Sequence, residues 1–77
     1  MVKVVFTNNG NAFEKLVNEA EPVEAILHAA DFTYEGATLN IQGRAANPAG
    51  LGNPLSNFIE PGTTVVRITA VAHKANA

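Results

Sequence analysis

The chain has 77 residues, no cysteine, and five Lys/Arg against seven Asp/Glu for a net charge of −2. That length allows one domain, expected over residues 1–72 with a flexible tail at 73–77, and the lack of cysteine excludes a disulfide framework and a thiolate-bound zinc. No apolar run approaches the ~18 residues of a membrane span, the N-terminus is too short in its apolar part for a secretion signal, and Lys3, Lys15, Arg44, Arg67 and Lys74 are scattered rather than gathered into a phosphate-binding surface.

Val2–Thr7 (VKVVFT) is rich in β-branched and aromatic residues and reads as a strand, with Val2, Val4 and Phe6 on the core face and Lys3, Val5 and Thr7 on the other. Asn9-Gly10 is a hairpin signal, because both residues tolerate the positive φ of a tight turn. Ala12–Val17 fits two patterns. As a return strand it sets Phe13, Lys15 and Val17 against Ala12, Glu14 and Leu16. As a helix, Asn11 and Glu14 would form a capping box. The strand is preferred, since the turn asks for a partner and Pro22 would interrupt a longer helix.

Pro22–Phe32 is the one good helix candidate: Val23, Ile26, Leu27 and Ala30 fall on a single face, and Pro22 suits the first turn. Glu21 and Glu24 complement the positive helix N-terminus, whereas Asp31 near the other end does not. Thr33–Gly36 reads as a turn. Thr38–Gln42 alternates, with Leu39 and Ile41 inward. Gly43–Pro54, with three glycines and two prolines, reads as a loop that is either functional or mobile. Leu55, Phe58 and Ile59 form a short turn that seals the core, with Ser56 as its cap. Pro61-Gly62 signals a type II turn. Thr63–Val71 is the strongest strand, directing Val66, Ile68 and Ala70 to the helix and leaving Val65, Arg67, Thr69 and Val71 on the open face.

The order strand, hairpin, strand, helix, strand, loop, strand resembles the β-grasp, or ubiquitin-like, fold: α+β, a mixed four- or five-stranded sheet with one main helix on one face. More locally, Pro22-Val23, Ile41-Gln42-Gly43-Arg44 and Pro61-Gly62-Thr63-Thr64-Val65, with Leu55 ahead of that last turn, resemble motifs of the small sulfur carriers of the ThiS and MoaD families. Those carriers end in Gly-Gly, which enters an adenylating enzyme as a thread without side chains. This sequence ends Lys74-Ala75-Asn76-Ala77 and has no glycine after Gly62. The resemblance therefore implies the fold without the carrier chemistry.

Nothing in the sequence assembles a catalytic or metal site. His28 reads as a boundary residue of the helix, and His73 lies in the tail. Ser56 has no partner base in sequence, and Glu14, Glu19, Glu21, Glu24, Glu35 and Glu60 read as solvated surface. Gly43–Gly52 lacks the Gly-Lys-Ser/Thr ending of a phosphate loop. No cofactor and no metal are expected, and neither is enzymatic activity.

What remains is the open sheet face. The first and last strands of a β-grasp are neighbours, so Val5, Thr7, Arg67, Thr69 and Val71 should come together there, with Arg44 at the rim. Apolar residues ringed by an arginine and two threonines resemble the patch through which ubiquitin-like domains are recognised. The expectation is a cytoplasmic, non-catalytic module that binds another protein. The rival readings are a nucleic-acid or ribonucleoprotein-binding domain of the TGS kind, which would need a basic or stacking surface although Phe6, Phe13, Phe32 and Phe58 all fit core positions, and a structural subunit of a homo-oligomer.

Overall fold

The computed structural model describes residues 1–8, 10–34 and 36–72. Asn9 of the expected turn, Glu35, and the 73–77 tail with His73 and Lys74 lie outside the described residues. Five strands form one mixed sheet: β1 (Val2–Asn8), β2 (Asn11–Val17), β3 (Ala37–Ile41), β4 (Arg44–Ala45) and β5 (Val65–Ala72). Their order is β2-β1-β5-β3-β4, with β1 and β5 parallel and the other neighbours antiparallel. A single helix, α1 (Val23–Ala29), is the only α-helix among the described residues, and this α+β layout is consistent with a β-grasp.

Ala12–Val17 is strand rather than helix. Its register with β1 runs from Val2↔Val17 to Asn8↔Asn11, closed by Gly10 at φ +82°. The parities follow the sequence. Val2, Val4, Phe6, Leu39, Ile41, Val66, Ile68 and Ala70 are buried, as is the whole α1 stripe of Val23, Ile26, Leu27 and Ala30. Phe6, Leu27, Leu55, Ile68, Val4, Val23 and Val66 are completely enclosed, and each such side chain contributes about 1.5–3 kcal/mol of transfer free energy. No polar side chain of the described residues is buried.

Three boundaries differ from the sequence reading. The helix is shorter than Pro22–Phe32, because Asp31 adopts φ +55° and the Phe32 N–H reaches back 3.0 Å to the Leu27 carbonyl. That left-handed residue with its long return bond is how helices end, usually at glycine. Asn8 then holds the outgoing chain through its side-chain N–H to the Thr33 carbonyl, 3.1 Å. The second difference is a hairpin at Gln42-Gly43, whose φ values of +55° and +81° match a type I′ turn and create β4, where the sequence reads loop.

The third concerns the rest of that loop, which is fastened rather than loose. The first N–H groups of a helix have no partner within it, and here Val23 and Glu24 donate to the carbonyls of Asn53 and Leu51 at 3.1 and 2.9 Å. Leu51 and Leu55 are buried, the Leu55 N–H donates to the Glu21 carbonyl at 2.9 Å, and Pro22 and Pro54 form an isolated bridge. Short 3₁₀ turns at Pro48–Gly50 and Leu55–Phe58 complete the segment. Ser56 does not cap the second of them: it lies inside the turn, which begins at Pro54 without a side-chain cap, and its backbone N–H donates instead to the Glu19 carbonyl at 2.9 Å. Glu60–Thr63 is the expected turn, with Gly62 at φ +86° and the Thr63 N–H 3.1 Å from the Glu60 carbonyl.

Candidate functional site: the open sheet face

The helix covers one face of the sheet, so the alternate residues of β1, β2, β5 and β3 face away from it. Parallel pairing of β1 with β5 sets Lys3 beside Val65, Val5 beside Arg67 and Thr7 beside Thr69. On the β2 side, Leu16 stands opposite Lys3, Glu14 opposite Val5 and Ala12 opposite Thr7. On the β3 side, Thr38 pairs with Val71 and Asn40 with Thr69. The structure thus brings together five of the six residues expected at the site: Val5, Thr7, Arg67, Thr69 and Val71.

Two further apolar residues share this face, Leu16 at 69% exposure and Val65 at 42%, beside Val71 at 47%. Val65 was legible from strand parity. Leu16 was legible only after Ala12–Val17 had been assigned as strand in the right register, because in the helix reading it packs with Phe13 and Val17. Charge is sparse. The Lys3 ammonium lies 3.7 Å from Glu14 Oε1, an exposed pair that contributes about 0–1 kcal/mol. Arg67 is exposed, and no ion pair of the described residues includes it.

The backbone beneath Arg67 is held in an unusual way. Where β3 stops, the Gln42 N–H donates to the Arg67 carbonyl at 2.8 Å. Its side-chain amide continues the ladder, with Oε1 accepting from the Arg67 N–H at 3.0 Å and Nε2 donating to the Val65 carbonyl at 3.2 Å. One side chain therefore substitutes for a missing strand residue along this part of β5.

Arg44 is placed elsewhere. It pairs with Ile41, whose side chain enters the core, so it leaves the sheet on the helix side. There it lines a shallow depression of about 390 Å³ with Gln42, Asn57, Phe58, Ile59, Glu60 and Thr63. The tight hairpin at Gln42-Gly43 is the reason: it turns β4 back within two residues, which a loop reading of Gly43 onward does not foresee.

The aromatic residues are only partly where the sequence reading put them. Phe6 and Phe32 are buried, while Phe58 is half-buried and Phe13 is 39% exposed at the β2 edge. The Phe13 ring stacks on Phe6 at 5.0 Å between centroids and 18° between planes. Tyr34 is packed against the core, so no row of stacking rings lies on the open face. Lys15 and Arg44 lie on the opposite side of the sheet from Lys3 and Arg67, which leaves no basic cluster among the described residues.

His28 is exposed, and among the described residues no group of three or more His, Asp or Glu side chains is arranged to hold a metal ion. No helix among them is long and apolar enough to cross a membrane. Among the described residues, the one carboxyl with a displaced pKa is Glu19, lowered first by a backbone hydrogen bond and then by the Met1 amino group, which lies 3.1 Å from its Oε2. It sits at the end of the sheet near the loop, where it lines a shallow depression together with Glu60. No protein-family model matches the sequence, and no curated protein matches it either.

Proposed function

We propose that this chain is a ubiquitin-like β-grasp module, cytoplasmic and non-catalytic, that binds another protein through its open sheet face. The reading rests on one observation: Val5, Leu16, Val65 and Val71 are left on a single uncovered face, together with Arg67, Thr7 and Thr69. An apolar surface with one uncommitted guanidinium suits a protein partner, because Arg offers a planar donor fork to a carboxylate while the aliphatic residues around it exclude water. Mixed-sign, dispersed charge does not suit a polyanion.

The test compares recovery of interacting proteins from the native host by the unaltered chain and by Arg67→Glu and Leu16→Asp. Both positions are exposed, so the variants should keep the melting temperature and lose the same partner. Equal recovery by all three chains would remove this face from the function.

A further inference from the structure

β2 ends the sheet, and its outer side carries backbone groups that none of the described residues bonds. The Lys3 N–H donates to the Thr64 carbonyl at 3.0 Å, toward β5, so Lys3 exchanges no hydrogen bonds with its opposite residue Leu16. Antiparallel strands alternate between bonded and non-bonded pairs. The N–H and C=O groups of Ala12, Glu14 and Leu16 therefore point out of the sheet, and none of the described residues bonds to them. Phe13 lies midway along this edge on the helix side. It forms the outer corner of a triangle of rings, 5.0 Å from Phe6 and 6.4 Å from Phe32, and is itself 39% exposed.

We propose that β2 pairs antiparallel with β2 of a second copy of this chain, across a twofold axis at Phe13, joining two five-stranded sheets into one continuous sheet. An edge that bonds outward through residues 12, 14 and 16 has three symmetric registers that form two or more bonded pairs, centred on residue 13, 14 or 15. Centring on Glu14 sets two carboxylates directly opposite each other, and centring on Lys15 sets two ammonium groups opposite. Both arrangements are destabilising.

Centring on Phe13 avoids both. Glu14 then faces Ala12 of the second copy, Lys15 faces Asn11, and the two Phe13 rings meet in a non-bonded pair, where the Cα atoms approach to about 4.5 Å. The cluster of Phe6, Phe13 and Phe32 then meets its symmetry copy across the axis through Phe13. An unrelated strand would gain the same backbone bonds without a second Phe13 ring to meet the first, which is why the occupant is this chain itself. A symmetric self-complementary contact of this kind closes at two subunits. It uses the edge and not the open face, so it stands or falls separately from the function proposed above.

The experiment is light scattering on the full chain over a wide range of concentration. A mass rising toward twice 8.1 kDa is expected. Glu14→Pro removes an outward N–H without touching the bonds to β1. It should weaken the dimer about 30-fold, because that N–H donates twice across the axis, while circular dichroism shows the fold retained. Ala12→Pro, altering the other residue of the same bonded pair, serves if Glu14→Pro unfolds. The register is read by mixing cysteine variants, since the chain has no cysteine of its own. Asn11→Cys should crosslink with Lys15→Cys faster than with Val17→Cys, the partner demanded by centring on Glu14. A monomer at every concentration, a dimer indifferent to both proline variants, or a dominant 11–17 crosslink would each overturn the proposal.

Discussion

Leu51→Ala distinguishes a fastened segment 43–54 from a loose one. In the structure Leu51 is 2% exposed, and its carbonyl accepts the Glu24 N–H at the start of α1. The substitution removes three methylene-sized groups, worth ~2.4 kcal/mol in transfer free energy, and any cavity left behind adds to this within the ~2–5 kcal/mol range for buried leucines. A domain of this length holds only about 4–12 kcal/mol in total. A loss of ~2.5–3 kcal/mol should lower the melting temperature by about 10–24 °C. Urea unfolding followed by circular dichroism measures the loss, and amide exchange at Val23 and Glu24 should quicken more than at Val4 or Ile68, because those two N–H groups depend on the segment for their acceptors. Ala49→Ser, exposed in the same stretch, should change stability by less than ~0.5 kcal/mol. If Leu51→Ala were equally mild, the segment would not be part of the core, and the account of how α1 is capped would be wrong.

The two faces of β5 are tested by neighbouring substitutions. Val65→Asp, on the open face, should stay folded, whereas Val66→Asp places a carboxylate where the side chain is fully enclosed and should unfold the domain at neutral pH; similar melting curves would contradict the assigned parity. Gln42→Ala keeps the left-handed backbone and loses both side-chain bonds to β5, so it should cost about 1–2 kcal/mol. Gln42→Gly loses the same bonds but relieves the backbone by ~1 kcal/mol and should be the milder change in the same urea assay. Glu19 gives a pH dependence. Its folded pKa lies below the unfolded value, so its contribution is present above the unfolded pKa of about 4.3 and fades as pH falls through the lower folded value. Glu19→Gln should flatten the acid limb of a stability–pH curve, and an unchanged limb would mean that neither the backbone hydrogen bond nor the ion pair with Met1 holds the carboxylate in solution.

The parts of this fold that were legible in the sequence are those decided by periodicity. Val2/Val4/Phe6, Leu39/Ile41 and Val66/Ile68/Ala70 alternate at the strand period, and Val23/Ile26/Leu27/Ala30 recur at the helical one, so burial could be assigned before any coordinates. The parts that were not legible depend on single backbone conformations or on distant partners. Asp31 and Gln42 take left-handed φ values, which aspartate adopts more often than most residues but which neither position announces in sequence. The first shortened the helix, and the second made a hairpin that carried Arg44 to the other side of the sheet. The acceptors for the first N–H groups of α1 lie almost thirty residues further on, in a segment whose glycines and prolines mask its attachment.

The candidate site shows the same division. Core parity in β1 and β5 fixes their opposite parity, and the open face around Arg67 follows. Leu16 required a decision about β2, where the helix and strand readings bury different residues. Once the core is filled, the large apolar side chains among the described residues still at least 39% exposed are Met1, Phe13, Leu16, Val65 and Val71, and the last four are not scattered. Leu16, Val65 and Val71 share the open face, while Phe13 stands at the β2 edge. A face contact and an edge contact make different demands: the first needs shape and one charge, the second needs register. Since they use different atoms of the sheet, Leu16→Asp and Glu14→Pro should separate them, the first releasing a protein partner and the second releasing the second copy.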